Sequence, residues 1–192
     1  MISEIANRIT VCLENNKLIA KEDNDVYTYG FEILISTIIT FAIVIILGIV
    51  TKNLSAALAY FGIFALLRQV CGGYHAESYF KCNIIFAFTT FIVMIAYKYV
   101  SVNVLGILHY LITAFWVLSV FTFAPIKNKN KSIGREKQKL FKMLSRVICV
   151  LISLITCLTY IKKFQCTVLL DATLFFVALA MVISGFQAKG CE

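Results

Sequence analysis

The sequence predicts an all-α, polytopic integral membrane protein with about six transmembrane helices and an N-terminal amphipathic helix at the membrane interface. Hydrophobic residues make up 60% of the 192 residues, and the mean hydropathy is +0.88, whereas soluble domains are closer to half apolar. Apolar residues fall into six long runs separated by short polar segments. The chain contains one proline, so helices are rarely interrupted. We therefore expect one membrane domain over residues 1–192.

The first 28 residues form a polar N-terminal segment. Ile2, Ile5, Ile9 and Leu13 recur at helical spacing, and polar residues fall mostly on the opposite side. This pattern predicts an amphipathic helix, which lies either on the membrane surface or against the protein's own cytoplasmic face. No basic region followed by an apolar core opens the chain, so no cleavable signal peptide is predicted.

Six apolar runs predict the spanning helices, within a membrane region of residues 29–187. The runs cover residues 31–50, 54–67, 83–97, 104–124, 147–161 and 167–186. The second run is short for a bilayer helix of roughly 20 residues. Either Arg68 at its end snorkels to the headgroups, or the helix continues beyond Arg68.

The basic residues predict the orientation of the chain. Six spans place both termini on one side, and with cytoplasmic termini the inner segments hold 14 of the 18 lysines and arginines. The positive-inside rule favours this arrangement. It places two loops, residues 68–82 and 126–146, on the cytoplasmic side. A basic loop beside anionic lipid accounts for much of the net charge of +8, and no aromatic-basic module accompanies it, so nucleic-acid binding is not predicted.

The segment from Gly72 to Cys82 is the main candidate for a functional site. It is a glycine-rich polar interruption between two apolar runs, and it contains His75, seven residues before Cys82. A cysteine thiolate is a nucleophile, and a histidine, with an unperturbed pKa of about 6.5, is a suitable base. The seven cysteines of the chain are odd in number and several lie in apolar runs, so they do not form a disulfide framework.

A single straight helix does not bring His75 onto Cys82, because seven helical residues separate the two backbones by about 10 Å. The glycine pair before His75 allows the chain to turn. Ser78 is a candidate N-cap for the third spanning helix, which puts Cys82 in its first turn, where the helix dipole and Lys81 favour the thiolate. We therefore predict that His75 folds back onto Cys82.

Two other interpretations of this segment stay open. In the first, His75 is a solvated histidine at the membrane boundary and Cys82 is a small residue at a helix start. In the second, His75 and Cys82 join Cys71 as zinc ligands. A fourth ligand for zinc is lacking.

At these residues the chain resembles the AgrB family, membrane peptidases of Gram-positive quorum-sensing systems. The matching pattern is Arg68, Gly73, His75, Ser78 and Cys82. An Ala-Pro step at residues 124–125 opens a lysine-rich loop, and the wider layout agrees over nearly the whole chain. The pattern departs from the family at Tyr74 and Glu77, where members often carry a small residue and a proline, and at Ile126, where an acidic residue sometimes stands.

The resemblance implies a cysteine endopeptidase that acts on the cytoplasmic side of a Gram-positive cell membrane. By this resemblance Cys82 attacks a short AgrD-type propeptide and His75 is its base. The thioester acyl-enzyme then leads to a cyclic thiolactone or lactone, the autoinducing peptide. The resemblance implies no cofactor or metal, and it favours a homodimer.

Other residues have supporting roles under the same resemblance. Arg68 is a candidate for binding an acidic part of the propeptide or for neutralising the site, and its other interpretation is a helix-end cation at the headgroups. Lys129 and Lys131 belong to the basic loop, which is a candidate for attracting the acidic tail of the propeptide and also acts as a topology determinant. Gly73 and Ser78 shape the turn around His75. A non-enzymatic peptide exporter or small transporter, whose gate this segment lines, and a structural or sensor subunit are the alternative functions.

Two polar residues lie in spans away from this segment. His109 and Asp171 are predicted in the outer half of the fourth and sixth spans. We interpret both as interfacial or inter-helix polar contacts, or as the lining of a peptide exit route.

Overall fold

The computed structural model describes residues 2–71, 79–124 and 135–189, and within them it is built of α-helices. A 3₁₀ turn at Lys21–Asp23 precedes the second helix. The α-helices are α1 (Ile2–Asn15), α2 (Asn24–Val50), α3 (Leu54–Cys71), α4 (Tyr79–Tyr99), α5 (Val102–Phe123), α6 (Arg135–Ile161) and α7 (Cys166–Lys189). Six of them, α2 to α7, are long and apolar enough to cross a membrane. The predicted fold class is confirmed.

Three helix boundaries refine the sequence-based prediction. Helix α3 continues past Arg68 to Cys71, which is the second of the two arrangements predicted for the short run. Helix α4 begins at Tyr79, so that Cys82 lies in its first turn. Helix α6 begins at Arg135, and a large part of the segment predicted as loop 126–146 is therefore helical. The Glu, Lys, Gln and Leu residues in the sequence at the start of α6 are strong helix formers.

Three connections between helices meet at one end of the bundle, which we call the turn end: residues 51–53, 100–101 and 162–165. Gln165 joins two of them, because its Nε2 donates to the carbonyls of Tyr97 (2.9 Å) and Val100 (2.6 Å). A cavity of about 390 Å³ is lined by residues of all three connections. The six spans therefore alternate in direction. The opposite end carries Arg68 and Cys82, and we call it the motif end.

Helix α7 is the centre of the bundle. Half of its apolar window is buried, against 11–28% for the other spans. One core cluster joins α3, α5, α6 and α7 through residues that include Leu67, Trp116 and Leu174. A second joins α2, α3, α4 and α7 through residues that include Tyr60 and Phe86. The outward apolar side chains of the other spans suit contact with lipid.

Helix α1 packs along α2 through a stripe of buried side chains, Ile2, Ala6 and Thr10. Ile5 and Ile9 lie on another side of α1 and stay 45% and 37% exposed. The structure thus combines the two placements predicted for this helix: one stripe contacts the protein, and another apolar stripe is available to the membrane surface.

A buried polar pair links α5 to α7. His109 Nδ1 lies 2.9 and 3.1 Å from the two carboxylate oxygens of Asp171, and the residues are 0% and 1% exposed. The imidazole stacks on the Tyr160 ring of α6, with centroids 4.2 Å apart. These residues are therefore an inter-helix contact, one of the roles predicted from the sequence.

A kink in α5 lies next to this pair. Gly106 adopts φ +46° and ψ −124° inside the helix, a conformation that glycine accepts and other residues disfavour. The Tyr160 hydroxyl donates to the Gly106 carbonyl at 3.3 Å, which satisfies an acceptor that the kink releases from the helix.

We expect Gly48→Ala to destabilise the crossing of α2 and α3. A Cβ at Gly48 falls 2.9 Å from Ala57 Cβ and 3.0 Å from the Leu54 backbone, so the two helices must separate, at a cost of about 1–3 kcal/mol. Gly62→Ala in α3 is the matched control, because nothing lies within 4 Å of its Cβ position. That control should gain up to about 1 kcal/mol of helix propensity. Thermal unfolding in detergent micelles measures both, and equal melting temperatures for the two variants would contradict this packing.

The His109–Asp171 pair should show strong energetic coupling. His109→Leu or Asp171→Leu leaves the other polar group buried without its partner, so each single variant should unfold at lower temperature. The double variant removes both groups and should lose less than the two single effects together. A double-mutant cycle in detergent measures the difference, with an expected coupling of about 1 kcal/mol. Strictly additive effects are the contrary outcome.

Candidate functional site

The ends of α3 and α4 bring two of the predicted site residues together. Arg68, in the last turn of α3, donates from Nη2 to the Cys82 sulfur at 3.3 Å. This contact exists because α3 extends past the apolar run, which raises Arg68 to the level of the first turn of α4. Both residues are half-buried. The contact places a positive charge next to a sulfur, the kind of surroundings in which reactive cysteines are found.

Side chains of α2 flank the same turn of α4. Ser36 Oγ donates to Asn83 Oδ1 at 2.9 Å, and Asn83 is 6% exposed. One turn closer to the motif end, the Tyr79 hydroxyl interacts with the Glu32 carboxylate. Cys82 therefore lies on a turn that is held by α2 on one side and reached by Arg68 of α3 on the other.

Sequence reasoning missed these four flanking residues. Glu32 carried a usable signal, because it is the one charged residue within the apolar run 31–50, and an ionisable group in a span usually has a specific partner. Ser36, Tyr79 and Asn83 gave no comparable signal, since uncharged polar residues are common at the ends of spanning helices.

The described cysteines differ in their surroundings. Cys71 and Cys149 are 0% exposed and belong to the same apolar core cluster. Cys12 and Cys166 are exposed, and Cys166 opens α7 at the turn end. Cys82 combines partial exposure with a cationic neighbour, the surroundings in which thiols are most reactive.

Several predicted residues lie outside the described ranges: Gly73, His75, Ser78, Lys129 and Lys131. The proximity of His75 to Cys82 therefore stays a prediction. Within the described residues no group of three His, Cys, Asp or Glu side chains is placed to share a metal ion. The zinc interpretation included His75, so it too stays untested.

Removal of the Arg68 guanidinium should lower the reactivity of Cys82. We expect Arg68→Ala to slow alkylation of Cys82 by iodoacetamide several-fold at neutral pH, because the sulfur loses its cationic neighbour. Mass spectrometry of the modified peptides measures this rate, and Cys166 at the opposite end serves as an internal control with an unchanged rate. If Cys82 in the variant reacts as fast as in the wild type, the contact does not activate the thiol.

Comparison with known proteins gives a family match over most of the chain. The family model described as AgrB, accessory gene regulator B, matches residues 6–187. An AgrB-like protein 2 of Clostridium perfringens strain 13 is 29% identical over 144 residues, 72% of this chain and 67% of the relative. An AgrB-like protein of Clostridium perfringens strain SM101 is 27% identical, with the same coverage. No solved structure matches the chain.

Proposed function

Because the chain belongs to the accessory gene regulator B family, we propose that it is a membrane cysteine endopeptidase of a quorum-sensing system. Its substrate is a short AgrD-type propeptide, cleaved on the cytoplasmic side of the cell membrane of a Gram-positive bacterium. The product is a cyclic autoinducing peptide closed by a thiolactone or lactone.

The observation that carries this proposal is the 3.3 Å contact between Arg68 Nη2 and Cys82 Sγ. A cysteine that serves only for packing in a membrane helix does not need a guanidinium beside it, and a guanidinium within a span costs free energy. A nucleophilic cysteine needs positive surroundings to be a thiolate at neutral pH. The geometry at the start of α4 thus favours a chemical role for Cys82.

The proposed reaction begins with attack of the Cys82 thiolate on the carbonyl carbon of the scissile peptide bond. The C–N bond breaks, His75 supplies a proton to the departing nitrogen, and the C-terminal part of the propeptide leaves as a free amine. The N-terminal part stays on Cys82 as a thioester. The role of His75 rests on the family resemblance.

Release of the thioester completes the proposed cycle. A thiol or hydroxyl within the bound peptide gives its proton to His75 and attacks the thioester carbonyl, which closes the ring and returns Cys82 as a thiolate. Exchange of one thioester for another changes free energy little. The half-buried position of Cys82 limits competition from water, which otherwise hydrolyses the acyl-enzyme.

Charge and topology supply the rest of the proposal. With cytoplasmic termini, the motif end and the basic residues of the segment 126–146 lie on the same side of the membrane. Lys129 and Lys131 attract the acidic part of the propeptide, and Gly73 and Ser78 shape the turn that carries His75. A homodimer completes the proposed assembly.

Cys82→Ala and His75→Ala should each abolish propeptide cleavage, with losses of at least about 100-fold. The assay is co-expression with an AgrD-type propeptide from the same genome, followed by mass spectrometry of the peptide and of Cys82. Wild-type protein should carry the N-terminal part of the propeptide as a thioester that hydroxylamine removes. Cys166→Ser, at the turn end, is the matched control and should retain activity.

Cleavage that persists in Cys82→Ala would overturn the proposal. Transfer of intact peptide across the membrane without cleavage would support the exporter instead.

A further inference from the structure

Two polar contacts join α2 to the first turns of α4, and we call them the α2–α4 ladder: Glu32 with Tyr79, and Ser36 with Asn83. The Glu32 carboxylate interacts with the Tyr79 hydroxyl, and Ser36 Oγ donates to Asn83 Oδ1 at 2.9 Å. The contacts are one helical turn apart on each helix, as expected for two helices that run in the same direction. Cys82 lies on α4 between the two contacts.

The ladder links this part of α4 to α2. Helix α4 packs chiefly against α2 and α7, and only lightly against α3, although Arg68 of α3 contacts Cys82. The position of the sulfur relative to Arg68 therefore depends on how α2 holds the start of α4. Asn83 is 6% exposed, so loss of its Ser36 partner leaves a buried amide that must move to find another.

We infer that Glu32 and Ser36 are positioning residues, which hold the Cys82 sulfur within reach of the Arg68 guanidinium. This inference rests on the proposed function, in which Cys82 is the nucleophile. In the described contacts the hydrogen-bond partner of the sulfur is Arg68, and neither Glu32 nor Ser36 is hydrogen-bonded to it. Each acts through α4, by fixing the rotation and the depth of the turn that carries Cys82.

The tolerance of the site to movement is small. The Arg68–Cys82 contact measures 3.3 Å, and hydrogen bonds weaken steeply with increasing length and poor alignment. A displacement of about 1 Å at a reacting group costs up to about 100-fold in rate. A packing contact without a positioning role would leave the rate unchanged as long as the protein stays folded.

Alkylation of Cys82 by iodoacetamide, followed by mass spectrometry, tests the inference without any substrate. Glu32→Leu and Ser36→Ala should each slow the reaction several-fold in the wild-type background and have no further effect in the Arg68→Ala background. Glu32→Gln keeps an acceptor for the Tyr79 hydroxyl and should restore most of the rate. Thr37→Val is the matched control, because the Thr37 hydroxyl is exposed and bonds to the Ile33 carbonyl of its own helix.

Two results would overturn the inference. One is a rate in the ladder variants equal to that of Thr37→Val. The other is that the ladder variants slow alkylation of Cys82 equally in the wild-type and in the Arg68→Ala background. The ladder would then act on Cys82 independently of Arg68, or the variants would destabilise the whole fold. Thermal unfolding of each variant identifies the second cause directly.

Cleavage kinetics with the propeptide give a second readout. Ladder variants should lower kcat about tenfold or more and leave KM within about twofold, because the ladder positions the nucleophile and does not bind peptide. An unchanged kcat would count against the inference. If wild-type protein cleaves no propeptide, the proposed function fails, whereas the alkylation results still decide whether the ladder positions Cys82.

Discussion

Polar side chains within the spans depend on partners inside the protein, because hydrocarbon offers no hydrogen-bond partner. Among the described residues, four buried side-chain atoms lack such a partner: His109 Nε2, Trp116 Nε1, Ser153 Oγ and Thr167 Oγ1. Most hydroxyl groups meet this constraint locally: Thr90 bonds to the Phe86 carbonyl at 2.7 Å, and Thr173 to the Leu169 carbonyl at 2.6 Å. The polar groups that leave their own helix are few, and each such contact ties two spans together. His109 with Asp171 joins α5 to α7, and the contacts around Cys82 join α4 to α2 and α3.

The same constraint makes the two ends of the bundle different. At the turn end, Gln165 bonds to backbone groups of Tyr97, Val100 and Val102, so main-chain groups take part in holding the connections, beside the side-chain contact of Lys163 with Asn103 at 3.0 Å. At the motif end, the described contacts between α2, α3 and α4 run between side chains. Side-chain contacts are altered by single substitutions, and they rearrange without unfolding a helix. A reacting centre fits the second kind of end better than the first, since substrates and products must pass through it.

The sequence predicts the spans well and the contacts between them poorly, for separate physical reasons. Hydropathy and length suffice for α2 to α7, because lipid imposes the same requirement on each span. The start of α6 at Arg135 was missed, since a charged amphipathic helix gives no hydropathy signal. The pairing of His109 with Asp171 depends on how α5 and α7 pack, which a single sequence does not encode locally. Arg68 and Cys82 are both predicted site residues, but their direct contact was not predicted, because it depends on the continuation of α3 to Cys71.

The burial of α7 in both core clusters also constrains how the protein is made. Synthesis proceeds from the N-terminus, so α2, α3 and α4 enter the membrane before the helix that packs against them exists. The contacts that surround Cys82 belong to these early spans, whereas Leu169 and Leu174, which complete the two clusters, arrive later with α7. A chain in which α7 has not yet been inserted therefore carries Cys82 in an incomplete bundle, because both core clusters still lack their α7 residues.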